Sequence, residues 1–384
     1  MATPPSPYNA TVKVGIDARA LLSERTGIGV YTEEIARGLS AISGIEVILF
    51  APKEIPPAAV PPGVRTRTDR HPFGTVWVQT LLPRRAAEER VDVLLSAVTI
   101  APARLSIPSV PVVHDLTPLT HPEWHRRKTV VAFLPWIEKT LERAARVIAV
   151  SPATAAELAA RFPDVRDRIA VIPHGVDPRF SADAAAEGEA EAVRRQYTGG
   201  RPYVLCFATL EPRKNLGALV AALERLWRQD ENRPDLLLAG GAGWKSETLA
   251  AAIDASAYRG RIHRPGYVPA DAVPALFRAA EAFCYPSHAE GFGLPVLEAM
   301  ACGTPAVIST APALLELAGD AALSAPAEDV GRLAEALASM LDDPATRRRC
   351  SERGLARAAA FRWSDAARMT ADVLRASCAA RSAA

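Results

Sequence analysis

The sequence predicts an α/β fold made of two parallel sheets in tandem, and three observations predict it. The chain has 384 residues, about half of them apolar, which is too long for one ordinary core and suits two domains of roughly 150 to 200 residues. Short β-rich runs recur in which apolar residues are continuous rather than alternating, the mark of strands buried on both faces between helix layers. The series stops near residue 178 and starts again after residue 200.

In order, the first series is VKVGIDA (12–18), VILFAP (47–52), VDVLLSA (91–97), VPVVHD (110–115), RVIAVS (146–151) and IAVIPHG (169–175). Helical or irregular stretches separate most of them. The second series is YVLCFAT (203–209), DLLLAGG (235–241), IHRPGYV (262–268), AFCYPS (282–287), TPAVIST (304–310) and AALSAP (321–326), with helical patterns such as NLGALVAALERLW and DAVPALFRAAEA between. Two Rossmann-like sheets are the reading. Between them FSADAAAEGEAEAVRRQYTGG (180–200) is Ala/Glu-rich, ends in glycine and lacks a β-rich core, which suits an interdomain linker with a short helix. The expected domains are 1–177 and 178–364. The tail 365–384 reads as a helix able to dock on either one.

Lys plus Arg exceed Asp plus Glu by two, so no basic field argues for nucleic acid as a partner. The N-terminal stretch MATPPSPYNATVKV lacks a basic-then-apolar leader pattern, and no apolar run reaches the ~18 residues of a membrane span. A cytoplasmic location is the expectation. Five scattered cysteines show no zinc spacing and read as small hydrophobes.

In open α/β sheets ligands sit beyond the carboxyl ends of the strands, so the residues after each run carry the chemistry. HAEGFGLPVLEAMACGTPAV (288–307) holds Glu290 and Glu298 eight positions apart around a Gly-Phe-Gly turn. A helix from Leu294 would advance about 12 Å over eight residues at ~1.5 Å each. Glycosidase carboxylate pairs stand only ~5 to 9.5 Å apart across one bond. The two glutamates therefore suit separate parts of one long ligand. Gly291, Phe292, Gly293 and Leu294 lead into a helix N-terminus, where free N–H groups and the dipole favour a phosphate; a tight loop ahead of a buried helix is the plainer alternative. Arg213 and Lys214 in LEPRKNLGALVAALERL stand at a predicted helix start, where cations oppose the dipole unless an anion intervenes. A diphosphate is the expected anion, and a solvated charged cap the alternative.

In the first half, TGIGVYTEEIARGL (26–39) places Gly27 and Gly29 in an anion-capable or simply flexible loop. His114 and Asp115 end a strand where a ligand is expected, although a backbone-bonded structural histidine fits equally well. Ser151 reads first as the cap of SPATAAEL and second as a donor to acceptor or phosphate. HRRKTVVAFLPWIEKTLERAARV (125–147) joins a basic start to Phe133, Leu134 and Trp136, which suits a membrane-surface patch or an ordinary amphipathic core helix.

The combination E-P-R-K-N (211–215), G-Y-V (266–268) and E-G-F-G-L-P-x-L-E-A-M-A-x-G-x-P (290–305), in this order and spacing, closely resembles the family 4 retaining glycosyltransferases of the GT-B fold. The likeness extends to GIDAR…GIGVY, His114-Asp115, VSPATAAEL and VIPHGVD. It implies two Rossmann-like domains facing across a deep cleft, acceptor binding in the first, nucleotide-sugar binding in the second, and a last helix crossing back to the first. By the same resemblance Glu290 contacts the donor sugar, and Phe292, Gly293 and Leu294 contact diphosphate or sugar through their backbones. Glu298 contacts the ribose, Lys214 with Arg213 neutralises the diphosphate, and Gly266, Tyr267 and Val268 border the base. Gly27 and Gly29 would approach donor phosphates or acceptor, and His114 would lie beside the donor sugar. Many members carry Gly-Arg where this chain has Ala208-Thr209, so one phosphate-binding arginine is absent and Arg213 must compensate or the grip is weaker.

The function this implies is a retaining hexosyltransferase, moving mannose from GDP-mannose to a lipid-linked or other glycan in cell-surface polysaccharide assembly. No Asp-x-Asp motif stands at a strand end, so metal independence and no cofactor are expected, with positioning and charge stabilisation as the protein's work. A UDP-sugar-dependent enzyme of the same fold, a nucleotide-sugar epimerase, a disaccharide synthase or phosphorylase, and a silent nucleotide-binding subunit are the alternatives.

Overall fold

The computed structural model describes residues 11–22, 26–184, 186–241 and 243–382. The first ten residues, on which the expectation of no leader falls, and the last two of the expected tail helix lie outside that range. The chain divides into two compact units: residues 1–122, 127–175 and 363–384 form the first, residues 123–126 and 176–362 the second.

The first unit contains β1 (Val12–Asp17), α1 (Gly27–Ser40), β2 (Ile45–Ala51), β3 (Arg65–Thr68), α2 (Gly74–Glu88), β4 (Val93–Ser96), β5 (Ser109–Val113), α3 (Thr117–Thr120), α4 (Arg127–Arg143), β6 (Val147–Ala149), α5 (Pro152–Arg161) and β7 (Ile169–Val171). Its seven strands are all parallel, in the order β3-β2-β1-β4-β5-β6-β7. All six expected strands are present. β3, RTRT, was not expected: it is an edge strand paired only with β2, exposed at Arg65 and Thr66, so it needs no apolar pattern. Arg65 binds Glu46 and Glu89, each at 2.9 Å, and these charges suit an edge that must not pair with another chain.

The second unit contains α6 (Glu189–Thr198), β8 (Tyr203–Phe207), α7 (Leu216–Gln229), β9 (Asp235–Ala239), α8 (Glu247–Ala255), β10 (Ile262–Gly266), α9 (Val273–Ala279), β11 (Ala282–Tyr285), α10 (Leu294–Ala301), β12 (Ala306–Ser309), α11 (Pro312–Ala318), β13 (Ala322–Ala325), α12 (Val330–Asp342) and α13 (Pro344–Ala358). The sheet order is β10-β9-β8-β11-β12-β13, again parallel throughout. α7 shows why the helices hold: Leu216, Leu219, Val220, Leu223, Leu226 and Trp227 are buried at helical spacing as one apolar stripe, and the helix packs beside α12.

Residues 180–200 are not a free linker. α6 docks on α9, with Arg278 bound to Glu189 at 2.7 Å and Arg194 donating to the Ala279 carbonyl at 3.1 Å and to Glu281 at 3.0 Å. Its polar composition hid one buried face, Val193 and Thr198. The C-terminal helix α14 (Trp363–Ser382) belongs to the first unit and packs on α1. A Cβ on Gly38 would stand 2.4 Å from the Ala367 methyl, so the two helices approach as closely as they do because α1 has a glycine there.

Candidate functional site

In the second unit the chain winds from β8 through β9 to β10, then crosses to β11 on the other side of β8. The loops after β8 and β11 thus leave neighbouring strands in opposite directions, the topological switch point at which such sheets bind ligands. The first loop carries Thr209 to Asn215 and the second carries Pro286 to Gly293. They are stitched together: the His288 amide donates to the Arg213 carbonyl at 2.9 Å, Arg213 donates to the Ala289 carbonyl at 2.8 Å, and the Asn215 amide donates to Pro286 at 3.2 Å and Ala327 at 2.7 Å. Asn215 has a left-handed backbone, φ 55°, which asparagine tolerates better than most residues.

Between these loops the expected residues meet. Lys214 Nζ lies 2.6 Å from Glu290 Oε1 and donates to the Tyr285 hydroxyl at 2.7 Å, with the ammonium 4.9 Å from the centre of the Tyr285 ring. Arg213 reaches Glu290 Oε2 at 2.8 Å and Glu211 Oε1 at 2.7 Å. Burial alone would raise the Glu290 carboxyl, but Arg213 and Lys214 outweigh it and hold the group at about 2. Burial, joined by repulsion from Arg213, lowers the Lys214 ammonium against the pull of Glu290. Glu290 is therefore ionised throughout the neutral range.

This corrects the expectation for the two cations. They lie in a short 3-10 turn, Pro212–Lys214, ahead of α7 rather than in its first turn. The anion that answers them in this structure is supplied by the protein itself, Glu290 and Glu211. Arg213 is tied on both sides and compensates for the arginine missing at Thr209 only if it exchanges a carboxylate for a phosphate. Glu211 and Tyr285 were not assigned roles from sequence, although each sits at the end of a recognised strand or motif.

The Gly-Phe-Gly turn is built for its helix. Gly293 precedes α10 at φ 106°, and a Cβ there would meet Leu314 at 2.6 Å. Gly291 and Phe292 are buried, the Phe292 ring packing edge-on to Phe361 at 5.9 Å. Leu294 opens α10 and Glu298 lies half-buried one turn later. At the end of β10, Gly266 has φ 77°, Tyr267 is 56 % exposed and Val268 is buried, so Tyr267 alone of the three presents a side chain.

In the first unit, His114 follows β5 and its Nε2 stands 2.9 Å from the Ala97 carbonyl. A carbonyl only accepts, so Nε2 carries the proton and Nδ1 of the neutral ring is an acceptor. Burial lowers the His114 imidazole, opposed by this hydrogen bond and by Asp115. Asp115 Oδ1 accepts from the Thr117 amide at 2.9 Å and hydroxyl at 2.6 Å, a local turn that leads into α3. Ser151 caps α5, accepting from the Thr154 amide at 3.0 Å. Gly27 and Gly29 are not a flexible loop: α1 starts at Gly27, and Thr26 caps it by accepting from Gly29. Of the aromatic residues expected at an interfacial patch on α4, Phe133 and Trp136 turn inward against Ile137, Leu141 and Val113, leaving Val131 and Leu134 exposed beside Arg127 and Lys128. Among the described residues no helix is long and apolar enough to cross a membrane.

Comparison with known proteins agrees with this architecture. Residues 25–180 match the family described as Glycosyltransferase Family 4, and residues 189–357 match Glycosyl transferases group 1. O-antigen chain mannosyltransferase B of Escherichia coli is 33% identical over 262 residues, 68% of this chain and 68% of that protein. Among solved structures, sucrose-phosphate synthase from Thermosynechococcus elongatus has a TM-score of 0.78 at 21% identity, over 96% of this chain and 100% of that one. Anabaena Alr3699/HepE, solved in complex with UDP-glucose, has a TM-score of 0.76 at 20% identity, over 95% and 99%. Two Rossmann-like units, each built on a parallel sheet, have the GT-B fold, and the matched families and relatives make the protein a glycosyltransferase. The chain belongs to the family 4 glycosyltransferases, and its relatives include mannosyltransferases of O-antigen synthesis.

Proposed function

We propose that the protein transfers mannose from GDP-mannose to a lipid-linked glycan of the cell surface, with retention and without a metal ion. The observation that carries the reading is the Arg213, Lys214 and Glu290 cluster at the switch point, beside the N-terminus of α10. Its two cations and the α10 amides suit a diphosphate leaving group, and positive charge already in place lowers the cost of its departure. Glu290 pairs with sugar hydroxyls once the diphosphate takes over its cations, and Glu298 holds the ribose. Tyr267 borders the base. His114, with Nδ1 as acceptor, takes a hydroxyl of the donor sugar. Thr26-capped α1, with Gly27 and Gly29, approaches phosphate or acceptor, a side completed by Asp115, which shapes the turn into α3, and Ser151, which caps α5.

In the reaction the bond from the sugar's anomeric carbon to the leaving phosphate oxygen breaks. The acceptor oxygen bonds to that carbon on the same face, and its proton passes to the departing phosphate. The chain's own contribution is orientation and charge. Arg127, Lys128, Val131 and Leu134 on α4 suit peripheral contact with the cytoplasmic face of an anionic membrane. The mannose assignment is favoured by the E. coli relative. A UDP-sugar donor is the second reading, favoured by the fold neighbour solved with UDP-glucose.

Calorimetric titration with GDP, UDP, ADP and their sugars in EDTA tests the proposal. Binding confined to GDP and GDP-mannose supports it; preference for UDP overturns the donor, loss of binding on chelation overturns metal independence, and no binding overturns the catalytic reading.

A further inference from the structure

Four aromatic side chains, His114 among them, come together from four separate segments of the first unit. Tyr31 comes from α1, His114 follows β5, His174 follows β7, and Trp363 is the first residue of α14. Tyr31 stands edge-on to His114, ring centres 5.0 Å apart at 84°. His174 lies 5.7 Å from His114, 5.1 Å from Tyr31 and 5.5 Å from Trp363. Trp363 backs Tyr31 at 6.2 Å. Tyr31 is fully buried, His174 is 5 % exposed and Trp363 is 7 % exposed.

We infer that Tyr31, His174 and Trp363 are positioning residues for His114, so that the C-terminal helix completes the reacting corner of the first unit. The inference rests on the proposed place of His114 beside the donor sugar. A histidine ring has two polar edges, and a half-turn about its Cβ–Cγ bond exchanges them. Donation from Nε2 to Ala97 selects one orientation, and a close-packed wall prevents the other. Tyr31 and His174 build that wall from rigid elements, with few rotatable bonds to order, and Trp363 packs on both. The wall is incomplete without α14, because Trp363 is the residue that packs on both Tyr31 and His174. Burial and the neighbouring His114 hold the His174 imidazole well below its usual range. Two neutral rings can therefore pack face to tilted face without charge repulsion.

The test is the ring 15N spectrum of the full chain, with the His114 signal identified by its loss in His114→Gln. In the wild type at neutral pH, His114 is expected to show one tautomer, protonated at Nε2. His174→Ala should move it toward a mixture of tautomers, and His174→Phe, which keeps the ring wall, should restore it. Trp363→Leu, which keeps apolar bulk without the plane, should give the His174→Ala result, and serves if that variant does not fold. Turnover of GDP-mannose with water as acceptor should fall on the order of tenfold to a hundredfold in His174→Ala and recover in His174→Phe. GDP affinity, which belongs to the second unit, should stay unchanged. An unaltered His114 signal in both His174→Ala and Trp363→Leu overturns the positioning role. Full turnover in His114→Gln overturns instead the placement of His114 in the site.

Discussion

Lys214 Nζ lies 2.6 Å from Glu290 Oε1, and each side chain is only 8 % exposed. With Arg213 and Glu211 they form a set of two cations and two anions, so the site at the β8–β11 switch point is electrically balanced before any ligand arrives. Glu290 occupies, for the cations, the position that the diphosphate is proposed to take. Binding is then an exchange of anions, and this makes Glu290 and the nucleotide thermodynamic rivals.

Glu290→Gln should expose that rivalry. Without nucleotide the variant should lose about 3 kcal/mol of stability, because Lys214 is left buried beside a neutral group. The better bound of GDP and UDP should then raise the melting temperature by more than it raises that of the wild type, while turnover falls by at least about 10²-fold. Equal nucleotide-induced shifts in the two proteins would refute the exchange.

The same carboxylate sets an acid limit. Its folded-state value of about 2 lies below the ordinary 4.5, so its stabilising contribution is complete above about pH 4.5 and is lost as pH falls toward 2. Urea unfolding between pH 7 and pH 3 should show stability falling only in the lower part of that range. In Glu290→Gln this component of the slope should be missing.

Glu298→Ala should weaken nucleotide affinity about tenfold, the worth of hydrogen bonds to one charged group, and leave turnover at saturating donor within a few-fold of wild type. Calorimetry with the bare nucleotide measures the first and steady-state rates the second. A variant that binds normally but turns over slowly would reverse the division of roles between Glu298 and Glu290.

Gly293→Ala should cost about 1 to 3 kcal/mol, since it combines a φ of 106° with a Cβ 2.6 Å from Leu314. Nucleotide affinity should fall with it, because the start of α10 must shift. A wild-type melting temperature would show that the turn is not under this constraint.

Asp235 offers the opposite control. It is 1 % exposed and binds Arg201 and Arg261 at 2.9 Å and His263 at 3.0 Å. It starts β9, at the end of the sheet away from Lys214. Asp235→Ala should lose about 1 to 3 kcal/mol, chiefly by removing the partner of the mostly buried Arg261, since water screens the half-exposed Arg201, with nucleotide affinity unchanged in the protein that remains folded. A large loss of affinity would mean that the two ends of the sheet are coupled.

Much of this molecule was legible in one dimension. Among the described residues every strand but β3 falls on a run read from the sequence, and most of these runs are continuously apolar because a strand buried on both faces offers no polar side to water; β10, IHRPG, is the partly exposed exception. The helix cap at Ser151 was readable because it depends on a neighbour three residues away. The motifs placed Lys214 and Glu290 at strand ends, where the sheet topology brings ligands. What the sequence left open depended on contacts between distant segments. β3 carries no pattern because an exposed edge needs none, and α6 shows too narrow a buried face to reveal its dock on α9. That Lys214 and Arg213 are answered by Glu290 and Glu211, 76 residues apart in the first pairing, was decided by the crossing of two loops. The side of α4 on which Phe133 and Trp136 fall, and the meeting of Tyr31, His114, His174 and Trp363, were likewise decided only when the chain packed. Periodicity records burial along one element; pairing of charges and rings across elements is written in space alone.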